Sequence, residues 1–224
     1  MARVVRGTLS REAIIDAALA LVDEGGLEAL SMRAIGASLG VHAMSLYNHV
    51  ANKAALLDGL HERLILSLEF DIDGLDWTEA LRVAGRAYRK VALEHPQAFV
   101  LLATRPLATP AEISHIAPIL VVLEDSGFGI RQRLLAMNLF FTFLNGVLLA
   151  EVGPVPGHSD VPEPDSAAVY RAAAESDPAM PASAAAFAEI AERGSDAFAI
   201  AAWFEEAVEL VLRGLQTMVP DAAD

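Results

Sequence analysis

Arg33, His42, Ser45, Tyr47, Asn48, His49 and Lys53 crowd one polar stretch of a largely apolar chain. Guanidinium, imidazole, hydroxyl, amide and ammonium groups are the donors that phosphate oxygens and base edges accept from. Arg33 suits guanine, whose O6 and N7 match its fork. Ser45 can donate or accept, whereas Ala43 and Met44 beside it can only touch a thymine methyl or fill space. Asn48, one helical turn beyond Ser45, is placed for a base or a phosphate.

These groups need a scaffold that presents them on one face, and residues 31–53 have its grammar. Ser31 is a helix cap and Gly40 a residue that takes the left-handed backbone ending a helix. Gly36 lets a second helix cross closely, and Leu46 points back into the junction. Together they predict a helix-turn-helix whose second helix, roughly 43–50, lies in a DNA major groove. Asn52 then caps a further helix from Lys53 to about Phe70, and Lys53 adds its charge beside the positive end of that helix dipole, a setting for another phosphate.

Gly, Pro and Asp mark the remaining joints. Apolar residues recur at helical spacing from Ser10 to Glu24, and Gly25-Gly26 stops that run. After the acidic joint 71–76, a helix is expected over 78–94, a short one up to Arg105-Pro106, and another from Thr109-Pro110 to Ser126-Gly127. A long apolar helix over 130–152 comes next, then a Pro- and Gly-rich loop over 153–165. One or two weak helices are expected over 166–193, and a final helix over 195–218. No period-2 strand pattern appears. The expectation is an all-α fold of nine to ten helices: an N-terminal three-helix DNA-binding domain over 1–53, a connecting helix over 53–70, and a larger helical domain over 71–224.

Composition bounds the partners. The net charge is −14, an unfavourable balance for a nucleic-acid binder. Its distribution softens the objection, because residues 1–53 are neutral and the acidic excess lies in 54–224. Screening over roughly 8–10 Å leaves distant acids with little effect on DNA. With 54% hydrophobic residues and a mean hydropathy of +0.40, the chain has apolar surface to share with a second subunit. There is no cysteine, hence no thiolate metal site. The longest apolar run, Leu134 to Ala150, contains Asn138, Thr142, Asn145 and Gly146, and reads as a buried bundle helix rather than a membrane span. The N-terminal residues lack a signal-peptide pattern, so a cytoplasmic protein is expected.

Catalytic patterns are absent from the sequence. It has no Gly-x-Ser-x-Gly elbow and no phosphate-cradling glycine loop. His61-Glu62 lacks the second histidine of a zinc helix, and Glu112-Ile-Ser-His115 lacks the second copy and extra glutamates of a di-iron bundle. No enzyme activity, metal or cofactor is expected.

The string Ser45-Leu-Tyr-Asn-His-Val-Ala-Asn-Lys53, followed by Ala-Ala-Leu-Leu-Asp58, resembles the DNA-binding signature of the tetracycline repressor (TetR) family. Looser likeness to the tetracycline repressors continues in Thr104-Arg105-Pro106, Gly127-Phe128 and Val208 to Leu215. The resemblance implies that Tyr47 and His49 contact phosphates. It also implies that helices 130–152 and 195–218 pair with their symmetry mates into a four-helix bundle. Such a dimer would set recognition helices on palindromic half-sites about 34–36 Å apart. Where the repressors hold magnesium–tetracycline with a histidine and a glutamate, this chain has Leu101 and Ala150, which cannot ligate a hard cation. Glu151 is one residue off, about 100° around its helix.

The resemblance further implies a small-molecule pocket in the C-terminal domain, for which Tyr88, Leu101, Arg105, His115, Asn138, Phe141 and Asn145 are the candidates. Asn138 and Asn145 stand two turns apart on an apolar helix, where an unpaired amide is costly. A ligand, a water or the partner helix is expected to satisfy them. The expected function is a ligand-responsive regulator, by family default a repressor, released from its operator by a hydrophobic effector. The alternative is a helical small-molecule-binding or adaptor module without sequence-specific DNA binding.

Overall fold

The computed structural model describes residues 9–152 and 200–219, with isolated positions 168, 169, 172 and 189. Among them are nine α-helices, one short 3-10 turn and no strand. The loop expected over 153–165 lies outside the described residues, as do nearly all of 166–193 and the start of the last helix. Residues 1–154 and 211–224 form one compact unit and residues 155–210 a second.

In the first unit, Ser10 caps α1 (Arg11–Gly25) by accepting from the Ala13 amide at 3.1 Å. Ile14, Ile15, Ala18 and Val22 form its buried stripe. A 3-10 turn over Leu27–Ala29 leads to α2 (Met32–Leu39) and α3 (Ala43–Leu46). Next comes α4 (Lys53–Leu66), capped by the Asn52 side chain. It lies against α1 so closely that a Cβ on Gly59 would meet the end of the Ile15 side chain at 2.4 Å. Ion pairs Arg11–Glu62 and Arg63–Asp16 flank that contact.

The connecting helix is shorter than its sequence pattern suggests. It stops at Leu66, where the Ser67 hydroxyl donates to the Leu64 carbonyl at 2.8 Å. Leu68 and Ile72 leave the helical path, and both are buried.

Four helices build the body: α5 (Trp77–Glu94), α6 (Phe99–Thr104), α7 (Pro110–Asp125) and α8 (Ile130–Val152). Thr109 and Glu112 close a capping box at the start of α7, with Pro110 in the first turn. Gly85 on α5 admits the Phe140 ring of α8, whose Cζ would lie 3.2 Å from an added Cβ. By length and composition alone, α8 is apolar enough to cross a membrane. Its Ala136, Phe140, Leu144 and Leu148 form a buried stripe, and it packs against α5, α6 and α7. Outside that stripe, Ile130, Leu134, Leu135 and Leu139 are exposed. In α9 (Ile200–Gln216), Leu212 and Leu215 are buried within the first unit. Just beyond it, the Met218 carbonyl accepts from the Gln132 amide at 3.0 Å. In the second unit, Phe204 and Val208 are buried and Leu210 is exposed.

Candidate functional site

Two surfaces hold the chemistry, and α4 belongs to both. At the first, Ser31 accepts from the Ala34 amide at 3.1 Å and starts α2. Gly40 ends it at φ +68° and ψ +30°. The Gly40 amide donates to Ala37 and the Val41 amide to Gly36, which is the paired bonding of a Schellman stop. A Cβ on Gly36 would sit 2.9 Å from the Val41 carbonyl oxygen and 3.1 Å from the Ala43 amide nitrogen. Glycine at 36 is therefore what lets α3 start tight against α2. Leu46 and Val50 are buried beneath the turn and hold α3 down.

The recognition helix is shorter than the expected 43–50. Only Ala43–Leu46 is α-helical, and residues 47–49 continue as a turn in which the His49 and Val50 amides both donate to Leu46. The physical reason is local. Val50 must be buried and Asn52 must be extended to cap α4, so the chain tightens into a turn after Leu46 and leaves the helical path before Asn52.

This short element puts the polar residues outward. Arg33, His42, Asn48, His49 and Lys53 are exposed, as are Met44 and Tyr47. Ala43 and Ser45 are half-buried. Among the described residues, none of the side chains of Arg33, His42, Tyr47, Asn48, His49 and Lys53 is held by an internal hydrogen bond or ion pair. Residues 31–53 also contain no carboxylate, so no anion within that segment opposes an approaching phosphate.

The second surface is a half-open cavity of about 470 Å³ lined by α4, α5, α6, the segment after it, α7 and α8. That size suits a small organic molecule. Of the seven residues expected to line a pocket, Tyr88, Arg105, Asn138, Phe141 and Asn145 share this one. Leu101 and His115 do not. Leu101 turns into the core of α6 and is buried. His115 Nε2 donates to the Leu68 carbonyl at 2.9 Å, its ring edge-on to Phe70, beside a separate groove.

The polar atoms of the wall are largely paired. Tyr88 Oη donates to Asn145 Oδ1 at 2.7 Å, and Asn145 Nδ2 donates to the Ala103 carbonyl at 3.2 Å. The expectation that a ligand, water or second subunit meets Asn145 is thereby corrected: α5 and α6 meet it. Burial drives the Tyr88 phenol far above its ordinary pKa and keeps it a donor. Arg105 is paired with Asp58 of α4. Glu151 is held by Arg89, with Nε 2.9 Å from one carboxylate oxygen.

A buried pair of titratable residues in this region was not among the expected site residues. His61, on α4, lines the cavity, and its Nδ1 lies 2.7 Å from Glu112 Oε1; both residues are buried. Glu112 Oε2 accepts from the Ala108 and Thr109 amides at 2.7 and 2.8 Å. Burial penalises the Glu112 charge, but those amides and His61 outweigh it and hold the carboxyl below its ordinary range. The Thr109-x-x-Glu112 spacing carries the signature of a capping box, which places Glu112. Nothing in the sequence pairs it with His61. The Glu112-x-x-His115 spacing itself has no metal-ligating geometry, because the two side chains turn to different partners.

A helix-turn-helix mounted on an all-helical body with a half-open cavity is the architecture of a one-component regulator. Residues 14–60 match the model of bacterial regulatory proteins of the tetR family, and residues 72–219 match the tetracyclin repressor-like C-terminal domain. The chain belongs to the TetR family. It is 33% identical over 144 residues to an HTH-type transcriptional regulator of Saccharopolyspora erythraea, covering 64% of this chain and 61% of that one. It is 34% identical over 148 residues to the class D tetracycline repressor protein of Escherichia coli, covering 64% of this chain and 66% of the relative. The matched stretch thus spans a little under two thirds of either relative. In fold, the chain superposes on Streptomyces coelicolor ActR in complex with actinorhodin with a TM-score of 0.79 at 24% identity, covering 97% of this chain and all of the other.

Proposed function

We propose that this chain is a cytoplasmic, ligand-responsive transcriptional regulator, a repressor, that binds a palindromic operator as a homodimer and releases it when a hydrophobic small molecule enters the cavity. One observation carries this reading: α4 presents Lys53 beside the recognition face and, two turns along, lines the cavity with His61 and Ile65. The rise between Lys53 and His61 is about 12 Å. A ligand that favours one setting of α4 necessarily biases the spacing of the recognition helices.

In this reading residues 1–53 bind DNA, 53–70 connect, and 71–224 hold ligand and dimerise. Arg33 takes a guanine; His42, Ala43, Met44, Ser45 and Asn48 meet base edges; Tyr47, His49 and Lys53 hold phosphates. Tyr88, Arg105, Asn138, Phe141 and Asn145 shape the ligand site. The exposed apolar face of α8 (Ile130, Leu134, Leu135, Leu139) supports its use, with the helix at the C-terminal end, as the dimer interface. The wider relationship agrees: relatives include tetracycline repressors and the HTH-type transcriptional repressor DrrR1 of Streptomyces coeruleorubidus.

The acidic balance of the chain favours one other reading, a helical binding module that has given up DNA. A gel-shift on the DNA upstream of its own gene separates the two. Wild-type protein retards that fragment, while Arg33→Ala and Tyr47→Ala abolish retardation and leave the protein dimeric. Normal retardation by both variants contradicts the placement, and no retardation by wild type favours the binding module.

A further inference from the structure

The cavity wall is mostly aliphatic and aromatic, so its few polar atoms decide what it accepts. Tyr88 and Asn145 satisfy each other, and Arg105 is paired with Asp58. His61 differs. Its Nδ1 faces a carboxylate that is already anchored by two backbone amides. A carboxylate only accepts hydrogen bonds, so Nδ1 carries a proton and the ring is fixed in one tautomer and one orientation. Among the described residues no protein atom hydrogen-bonds His61 Nε2, yet it is not a sealed, orphaned atom, and the residue lines the cavity. Nε2 is thus an unengaged nitrogen on a locked ring, backed by a buried negative charge.

Such a nitrogen has a defined preference. In the neutral ring Nε2 is an acceptor and needs an O–H opposite it. If the proton of that O–H moves onto Nε2, the ring becomes an imidazolium held between the Glu112 carboxylate and the new ligand anion, and the charge-assisted bond strengthens. Only the proton changes place; no other bond is made or broken. An ester or ether oxygen at the same point offers the neutral ring no donor.

We propose that the cavity takes an apolar molecule carrying an acidic hydroxyl, a carboxylic acid or a phenol, and that His61 Nε2 is the atom that recognises that group. This rests on the reading of the cavity as the effector site, and it adds the chemical class of the effector. Glu112 is a positioning residue, acting through the imidazole. Asn138 and Thr142, one turn apart on α8, supply neutral hydrogen bonds for the rest of such a molecule.

The test uses the full-length protein and three fused-ring probes: 2-anthracenecarboxylic acid, its methyl ester, and 2-anthrol, read by fluorescence titration. A charge-assisted hydrogen bond within a cavity predicts that the acid, the phenol or both bind about 10- to 100-fold more tightly than the ester. The two arms distinguish a carboxylate effector from a phenolic one. In His61→Gln that preference falls to within about threefold. In Glu112→Gln, where the ring is no longer backed by a charge, the preference shrinks though His61 remains. Thermal unfolding of each variant separates loss of recognition from loss of fold, and the comparison of acid with ester in wild type needs no variant. Equal binding of acid, phenol and ester by wild type overturns the proposal, as does an undiminished preference in His61→Gln or failure of all three probes to bind. Operator retardation on the same preparations without probe is the separate readout of the regulator reading. If it persists while the probes show no preference, only the acid-selective site is lost.

Discussion

Tyr88 and Asn145, 57 residues apart, are joined by a 2.7 Å hydrogen bond that ties α5 to α8 at the cavity wall. Tyr88 is buried between the edges of Phe99 and Phe141, so its hydroxyl has little access to water in place of the amide. Tyr88→Phe therefore leaves Asn145 Oδ1 without its donor and lowers unfolding free energy by about 1–3 kcal/mol. Asn145→Ala in the Tyr88→Phe protein costs less than Asn145→Ala in wild type, by about 1 kcal/mol. Urea denaturation of the four proteins measures this directly, and strict additivity contradicts a coupled pair.

The helix-turn-helix junction predicts an order of sensitivity. Gly36→Ala forces a methyl against the Val41 carbonyl and the Ala43 backbone, neither of which can rotate away. It costs about 1–3 kcal/mol and displaces α3. Gly40→Ala meets no neighbour, and only the φ of +68° opposes it, at a cost of about 1–2 kcal/mol. Thermal unfolding and operator retardation together check this: Gly36→Ala loses more retardation than Gly40→Ala at matched folded fraction.

Glu112 gives a pH dependence with a definite sign. Its carboxyl is held below the ordinary glutamate value of 4.5 in the folded protein. The stability it contributes is fully present above that value and is lost as pH falls through the lower folded value. Glu112→Gln is less stable than wild type at pH 7, and the difference narrows as the pH drops below 4.5. Urea midpoints at a series of pH values show this, and a difference independent of pH contradicts it.

The exposed face of α8 predicts the assembly. Leu135→Glu with Leu139→Glu puts two charges on surface that a second copy would bury, at several kcal/mol per unpaired ion. Sedimentation should show the variant as monomer where wild type is dimer, with operator affinity falling accordingly. An unchanged dimer places the interface elsewhere.

What was legible in the sequence is what is local. Ser10, Ser31, Asn52 and Thr109 each accept from the amide three residues on and so cap the helix that follows, and Gly40 stops α2 by its own backbone. Side-chain type and spacing suffice for these. The cavity was half legible, because helical periodicity tells which positions of α5 and α8 turn inward but not which meet across the gap. Leu101 and His115 lie off this cavity for that reason: one is buried in the core, and the other donates to the Leu68 carbonyl beyond the end of α4. The link from His61 to Glu112 spans 51 residues and depends on how α4 lies against the start of α7, which no local pattern encodes.

The central claim is tested most directly by fluorescence anisotropy of the labelled upstream DNA, titrated with protein at several salt concentrations. Wild type should bind with an affinity that falls steeply and linearly in log–log form with salt, as released counterions require. Arg33→Ala should weaken binding toward the upper end of the roughly 5- to 150-fold range that one bidentate base contact of about 1–3 kcal/mol supplies in each half-site, enough to remove the shifted band in a gel. Tyr47→Ala should weaken it across sequences. Affinity that does not respond to salt, or both variants binding as tightly as wild type, would contradict the account.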